Sequence, residues 1–260
     1  MRTSIKIRKA GDEVETEPGF FECDTVAHCG PRLIGEFART VNFTDVLIGW
    51  VFTRSIRNNA HVHIRRVMDA SLDEIPYGVV GLDFDNGSEF LNYPMIDWAA
   101  DKKIFFTRSR PYKKNDQATI ESKNNHLVRR YGFYYRYDTA EELEVLNTLW
   151  PLVNDRLNYF TPTKKPIGWG EDKAGRRRRI YDKPATPFDR LIASGILSPA
   201  QQAEMTAYRD SINPLDLARR IAHLQGRLIE LAKDKTDRMR EKLEHATPDT
   251  DARIKIQEAS

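Results

Sequence analysis

Three acidic residues stand in positions where phosphodiester or metal chemistry could use them. Asp24 lies in the apolar run Gly19–Cys29, and Asp85 closes a second apolar run just before Asn86-Gly87, a strong local turn signal. Glu121 follows Asp116, a good N-cap, and so falls in the first turns of a helix; 35 residues separate it from Asp85. Each acid alone has an ordinary reading: a strand-end residue in solvent, a turn residue, a first-turn helix acid favoured by the dipole. Together they suit a different task. Cutting or transferring a phosphodiester needs charge neutralisation at the phosphate and activation of an oxygen nucleophile, which two divalent ions about 3.5 to 4 Å apart supply. Mg²⁺ prefers carboxylate and phosphate oxygens, so a few acids suffice. Asp83, two residues before Asp85 on the same strand face, is the competing candidate for that position.

The string Asp85-Asn86-Gly87-Ser88-Glu89-Phe90, the earlier Asp24 and the 35-residue gap together resemble the Asp, Asp-35-Glu signature of retroviral integrases and related bacterial insertion-sequence transposases. The resemblance runs from about Gly19 to Trp169. It implies an α/β, ribonuclease H-like fold: a five-stranded mixed sheet flanked by helices. It also implies a site for two Mg²⁺ or Mn²⁺ ions, with Asp24 bridging them, Asp85 serving one and Glu121 the other. The implied activity is cleavage that frees a 3′-hydroxyl at an element's end, then attack of that hydroxyl on target DNA by a homo-oligomer. There are departures from the pattern. Asn125 and Val128 occupy the places one and two turns beyond Glu121 where the family often carries basic residues. The zinc-binding His and Cys module of retroviral integrases has no match. Helix-turn-helix segments usually precede the transposase core, whereas 18 residues precede Gly19 here, so a truncated copy stays open as a reading. The alternatives are a nuclease that only hydrolyses and a non-catalytic DNA-binding fragment.

Charge distribution agrees with a nucleic-acid partner. The net charge of the 260 residues is +3, yet residues 101–136 carry +7 and residues 164–190 carry +5. A local basic face is the electrostatic footprint of a phosphate backbone. The candidate contacts are Arg110, Lys113, Lys114, Lys123 and Arg129, followed by the run Arg176, Arg177, Arg178 and Arg179. The apolar run Val46–Phe52 contains Gly49 and is far short of the ~20 residues that span a bilayer. With basic residues leading into an acidic stretch at the start, a cytoplasmic, nucleoid-associated protein is expected. Cys23 and Cys29 read as core packing in a reducing compartment, and His61 and His63 as surface residues.

The elements that must position the acids follow from the patterning. A polar lead-in over 1–18 gives way to a core over 19–160. In that core an antiparallel meander of three strands is followed by a helix over 58–75 capped by Asn58 or Asn59, and a strand over 77–84. A short helix from Asn92, a strand from Ile104, the Glu121 helix and a last helix opened by the capping box Thr139–Glu142 complete it. A basic Pro/Gly linker is expected over 161–182, a small helical region over 183–246 with starts at Ser198-Pro199 and Asn213-Pro214, and a disordered tail over 247–260. Leu217, Ile221, Leu224, Leu228 and Leu231 form a stripe expected to pack on neighbouring helices rather than on a second copy.

Overall fold

Apolar residues alternate along the strands, and the sheet they build separates two hydrophobic clusters. The computed structural model describes residues 5–8, 16–84, 90–109, 123–172 and 175–246. Strands β1 (Lys6–Ile7), β2 (Phe20–Ala27), β3 (Arg39–Asp45), β4 (Val51–Ile56), β5 (Gly81–Phe84) and β6 (Phe105–Arg108) form one mixed sheet in the order β1-β6-β5-β2-β3-β4. The expected meander is present, with β2 antiparallel to β3 and β3 to β4, while β5 and β6 run parallel to β2. Helices α1 (His61–Glu74) and α2 (Tyr93–Asp101) intervene, and α3 (Arg130–Gly132) and α4 (Ala140–Phe160) follow the last strand. The result is an α/β core in which β2 to β6 follow the anticipated order, while the expected helix carrying Glu121 begins outside the described residues.

One sheet face presents Phe21, Cys23, Phe43, Phe52, Leu82 and Phe84 to Ile64, Val67 and Met68 of α1 and to Met95 and Trp98 of α2. On the other side, Val26 and Val51 meet Leu146, Leu149, Trp150 and Val153 of α4. The C-terminal helices α5 (Pro187–Ser194), α6 (Pro199–Ser211) and α7 (Pro214–Ala246) join these clusters: Phe188, Leu191 and Met205 enter the first, and Leu217, Ile221 and Leu228 the second. The leucine stripe of α7 therefore packs inward against α4, as its spacing suggested. Capping explains the helix starts. Thr139 with Glu142, Thr186 with Asp189 and Ser198 with Gln201 each form a reciprocal capping box, satisfying backbone donors that the first turn leaves unpaired.

The edge strand β4 is closed off by two side chains of α4. The amide of Asn158 accepts from Val51 N–H at 2.8 Å and donates to Val51 C=O at 2.9 Å. Asn147 treats Ser55 in the same way, at 2.8 and 3.0 Å. The two asparagines thus stand in for a neighbouring strand, which covers an edge that would otherwise invite another chain.

Several expectations need correction. The polar lead-in is not wholly loose: Ile5 is buried, and Lys6–Ile7 pairs parallel with Thr107 and Arg108, giving a sixth strand in place of five. Main-chain pairing to an open edge requires little of the side chains, so composition did not mark it. Asn58 does not cap α1. Its carbonyl accepts from Ala60 N–H and its amide is drawn to Glu36, so the helix begins at His61 with Ala60 as an uncapped start. Within the stretch read as a strand over 77–84, the strand proper is Gly81–Phe84, preceded by Val80 with main-chain bonds to Gly19 and Phe105, while Tyr77 is buried and donates its hydroxyl to Asp45 at 3.1 Å. The segment read as a linker contains an antiparallel hairpin, β7 (Pro166–Glu171) and β8 (Arg177–Tyr181). The tail over 247–260 lies outside the described residues.

Candidate active site

Strand β2 is central, with β3 on one side and β5 on the other, so a side chain near its carboxyl end is enclosed by neighbours. Asp24 occupies that position, half-buried and in register with Asn42 of β3. Its backbone is one residue past Cys23, which pairs with Phe84, the final residue of β5. Two further acids share this sheet face, since cross-strand partners point the same way and residues two apart repeat the face. Glu22 is buried in register with Asp83, and Asp83 in turn lies beside Thr107, whose hydroxyl donates to Asp83 Oδ1 at 2.6 Å. Arg8 reaches Glu22 Oε1 at 3.4 Å. Burial pushes the Cys23 thiol well up, and the charges of Asp83, Glu22 and Asp24 add to it. The three carboxylates therefore act on a common neighbourhood.

Asp24 is held by a side-chain relay. Asn124 donates its amide to Asp24 Oδ2 at 2.6 Å; Asn42 donates to Asn124 Oδ1 at 3.2 Å; Thr53 donates its hydroxyl to Asn42 Oδ1 at 3.3 Å. Thr25 N–H also donates to Asp24 Oδ1 at 2.7 Å. Asn124 opens a π-helical segment, Asn124–Arg129, in which the Arg130 amide reaches the Asn125 carbonyl five residues back. The widened turn buries Leu127 and Val128 against the second cluster while leaving Asn124 facing the strand. Single-turn departures of this type recur at functional sites.

Asp85, Glu121, Arg110, Lys113 and Lys114 lie outside the described residues. Among the described ones, no group of three His, Cys, Asp or Glu side chains gathers in a way that could hold a metal. Lys123 is half-buried, and its ammonium is pushed down to about 8, by burial first and then by the charge of Arg190. Arg129 turns inward, donating to the Ala27 carbonyl at 3.0 Å and lying over Tyr134 at 4.8 Å. Arg176 to Arg179 are exposed on the hairpin. Asn124, Asn42 and Glu22 were not singled out from the sequence. A signal existed for two of them: Asn124 follows Glu121 by three positions, one helical turn, and Glu22 precedes Asp24 by two, one strand repeat.

His28, just beyond β2, illustrates what the enclosed sheet end does to a titratable group. It is fully buried, its Nε2 lies 2.7 Å from Thr40 Oγ1, and its Nδ1 has no hydrogen-bond partner among the described residues. Burial, helped by the nearby Arg129 charge, pushes it down to about 3. The unfolded chain takes up a proton near pH 6.5 that the folded chain refuses, so this stabilisation is complete above about pH 6.5 and is lost as pH falls. The expected result is a urea midpoint that declines from about pH 6.5 to 5, above the usual carboxylate range, with a slope approaching one proton. A His28→Gln variant should remove that slope, and an unchanged slope would assign it elsewhere.

No family model matches the chain. An uncharacterized protein, y4rM, of Sinorhizobium fredii (strain NBRC 101917 / NGR234) is 35% identical over 165 residues, which cover 64% of this chain and 47% of that relative. The chain thus spans about half the length of the curated relative it matches. Among solved structures, the catalytic core domain of BIV integrase aligns at a TM-score of 0.46 and 16% identity, covering 68% of this chain and 95% of the other.

Proposed function

We propose that the chain is a DNA transposase or integrase that performs divalent-metal-dependent cleavage at a DNA 3′ end and strand transfer, with Asp24, Asp85 and Glu121 as its acids. One observation carries the reading: the sequence neighbours of the two distant acids converge on Asp24. Phe84, the residue before Asp85, pairs with Cys23, and Asn124, three positions after Glu121, donates to the Asp24 carboxylate at 2.6 Å.

The chemistry of Asp24 suits Mg²⁺ or Mn²⁺, because it is a half-exposed carboxylate with acidic neighbours in an otherwise buried sheet end. In this reading Asp24, Asp85 and Glu121 hold two ions, which when bound neutralise the phosphate and activate the attacking oxygen. The chain's own contribution is orientation. Asn124, Asn42 and Thr53 fix the Asp24 side chain across three strands' width, so its oxygens need not be reordered for each turnover. DNA is the partner, as element ends and as target.

The test is a strand-transfer assay with Mg²⁺ or Mn²⁺, using oligonucleotides from the DNA flanking the gene, on wild type and Glu121→Gln. The expected result is metal-dependent joined product from wild type and none from the variant. Cleaved but unjoined product would establish the hydrolytic nuclease instead, and equal joining by the variant would remove Glu121 from the site.

A further inference from the structure

The hairpin β7–β8 stands apart from both hydrophobic clusters, with nearly every residue exposed. A two-stranded ribbon alone is marginal in water, so its retention calls for an anchor and a use. The anchor is at its root. Lys165 donates to the Val46 and Leu47 carbonyls at 2.5 and 2.6 Å. Asp182 accepts from Lys165 N–H at 2.6 Å and from Arg190 at 2.9 Å, and Thr163 bridges to Ala185.

The use is written on one face. Trp169 is directly opposite Arg179 and diagonal to Arg177, and their guanidinium carbons lie 5.0 and 4.1 Å from its ring centroid. Tyr181 continues the same face, two residues past Arg179; it and Trp169 are each 52% exposed. On the opposite face Ile180 pairs with Gly168 and lies against Gly170, where an added Cβ would come within 3.0 Å of it. The aromatic face is thus flanked by the guanidinium groups of Arg177 and Arg179.

We propose that this face binds an unpaired DNA strand, with bases stacked on Trp169 and Tyr181 and phosphates met by Arg177 and Arg179. Aromatic platforms framed by cations suit single strands, because every base offers a π-face once it leaves the duplex. Arg177 and Arg179 supply charge on that face, and the neighbouring Arg176 and Arg178 add to the positive potential of the ribbon. The proposal rests on the reading of the chain as a DNA strand transferase, since breaking and rejoining ends exposes unpaired nucleotides.

The experiment uses the full chain and intrinsic fluorescence. Trp50, Trp98 and Trp150 are buried, so quenching by added oligothymidylate reports on Trp169. Expected are quenching of wild type without divalent metal and, by fluorescence anisotropy of end-labelled oligothymidylate, a readout that needs no tryptophan, a roughly tenfold loss of affinity in Trp169→Ala with an unchanged melting temperature, and near-wild-type affinity in Trp169→Phe. Replacing all four arginines by Gln should flatten the salt dependence. Equal affinity of Trp169→Ala and wild type would overturn the proposal. So would a preference for duplex DNA, oligouridylate or polyglutamate over oligothymidylate. The Asp24→Asn variant separates the two readings. Retained oligothymidylate binding with strand transfer lost supports both. Retained strand transfer with Trp169-dependent binding overturns only the acid assignment.

Discussion

Asp24→Asn is expected to lower strand transfer by about a thousandfold or more while leaving the fold intact. The amide is isosteric with the carboxylate, and its oxygen can still accept from Asn124 or from Thr25 N–H, which now reach Oδ2 at 2.6 Å and Oδ1 at 2.7 Å. What it loses is the negative charge, and if Asp24 holds divalent ions as proposed, that loss is worth several kcal/mol of transition-state stabilisation, about tenfold for each ~1.4 kcal/mol. The assay is single-turnover joining in Mg²⁺, run beside a thermal melt. Asn124→Ala provides the contrast: it keeps the charge and removes the positioning bond, so a smaller loss of roughly tenfold to a hundredfold is expected. Equal activity of Asp24→Asn and wild type would transfer the role to Glu22 or Asp83, whose variants would then be measured in the same way.

Arg136→Ala is expected to cost about 3 to 5 kcal/mol of stability, the usual penalty for opening a buried, hydrogen-bonded charge. The guanidinium is buried, and its hydrogen bonds go to five different residues. Nε donates to Asp138 at 2.5 Å, Nη1 to the carbonyls of Cys29 and Arg32 at 3.2 and 3.1 Å, and Nη2 to those of Ile34 and Glu36 at 3.0 and 3.1 Å. The loop after β2 is thereby wrapped around one side chain. Its truncation leaves four carbonyls to find water and unties the loop from the bridge between Cys29 and Arg136. Lysine is no substitute, because a single ammonium cannot reproduce a planar fork of donors. For a chain of this size the change corresponds to a fall in melting temperature of roughly 10 °C, read by calorimetry or denaturant titration. A melting temperature that did not move would mean that the loop is held by other contacts.

Much of the core was legible because its signals are local. The meander order, the capping box at Thr139, the starts at Ser198 and Asn213 and the inward stripe of α7 depend on residues within a turn or two of each other. Asp24 was legible for the same reason, as an acid in an apolar strand. The relay that holds it was not. Asn42, Thr53 and Asn124 are spread over more than 80 positions, and an asparagine carries no local mark of a partner that distant. The asparagines of α4 that close the β4 edge, separated from their partners by 92 and 107 positions, are hidden in the same way.

The sequence by itself determined the alternation that makes the strands, the caps that start the helices, and an acid on the central strand, because propensity and periodicity act over a few residues. Only the tertiary structure decided that Lys6–Ile7 joins the sheet, that the basic segment after α4 folds into a ribbon with Trp169 set beside two arginines, and that Arg129 turns inward. In each case a long-range partner supplied the free energy: an open strand edge, a cross-strand guanidinium, a buried carbonyl. Such partners are brought together by folding and are not neighbours in the chain.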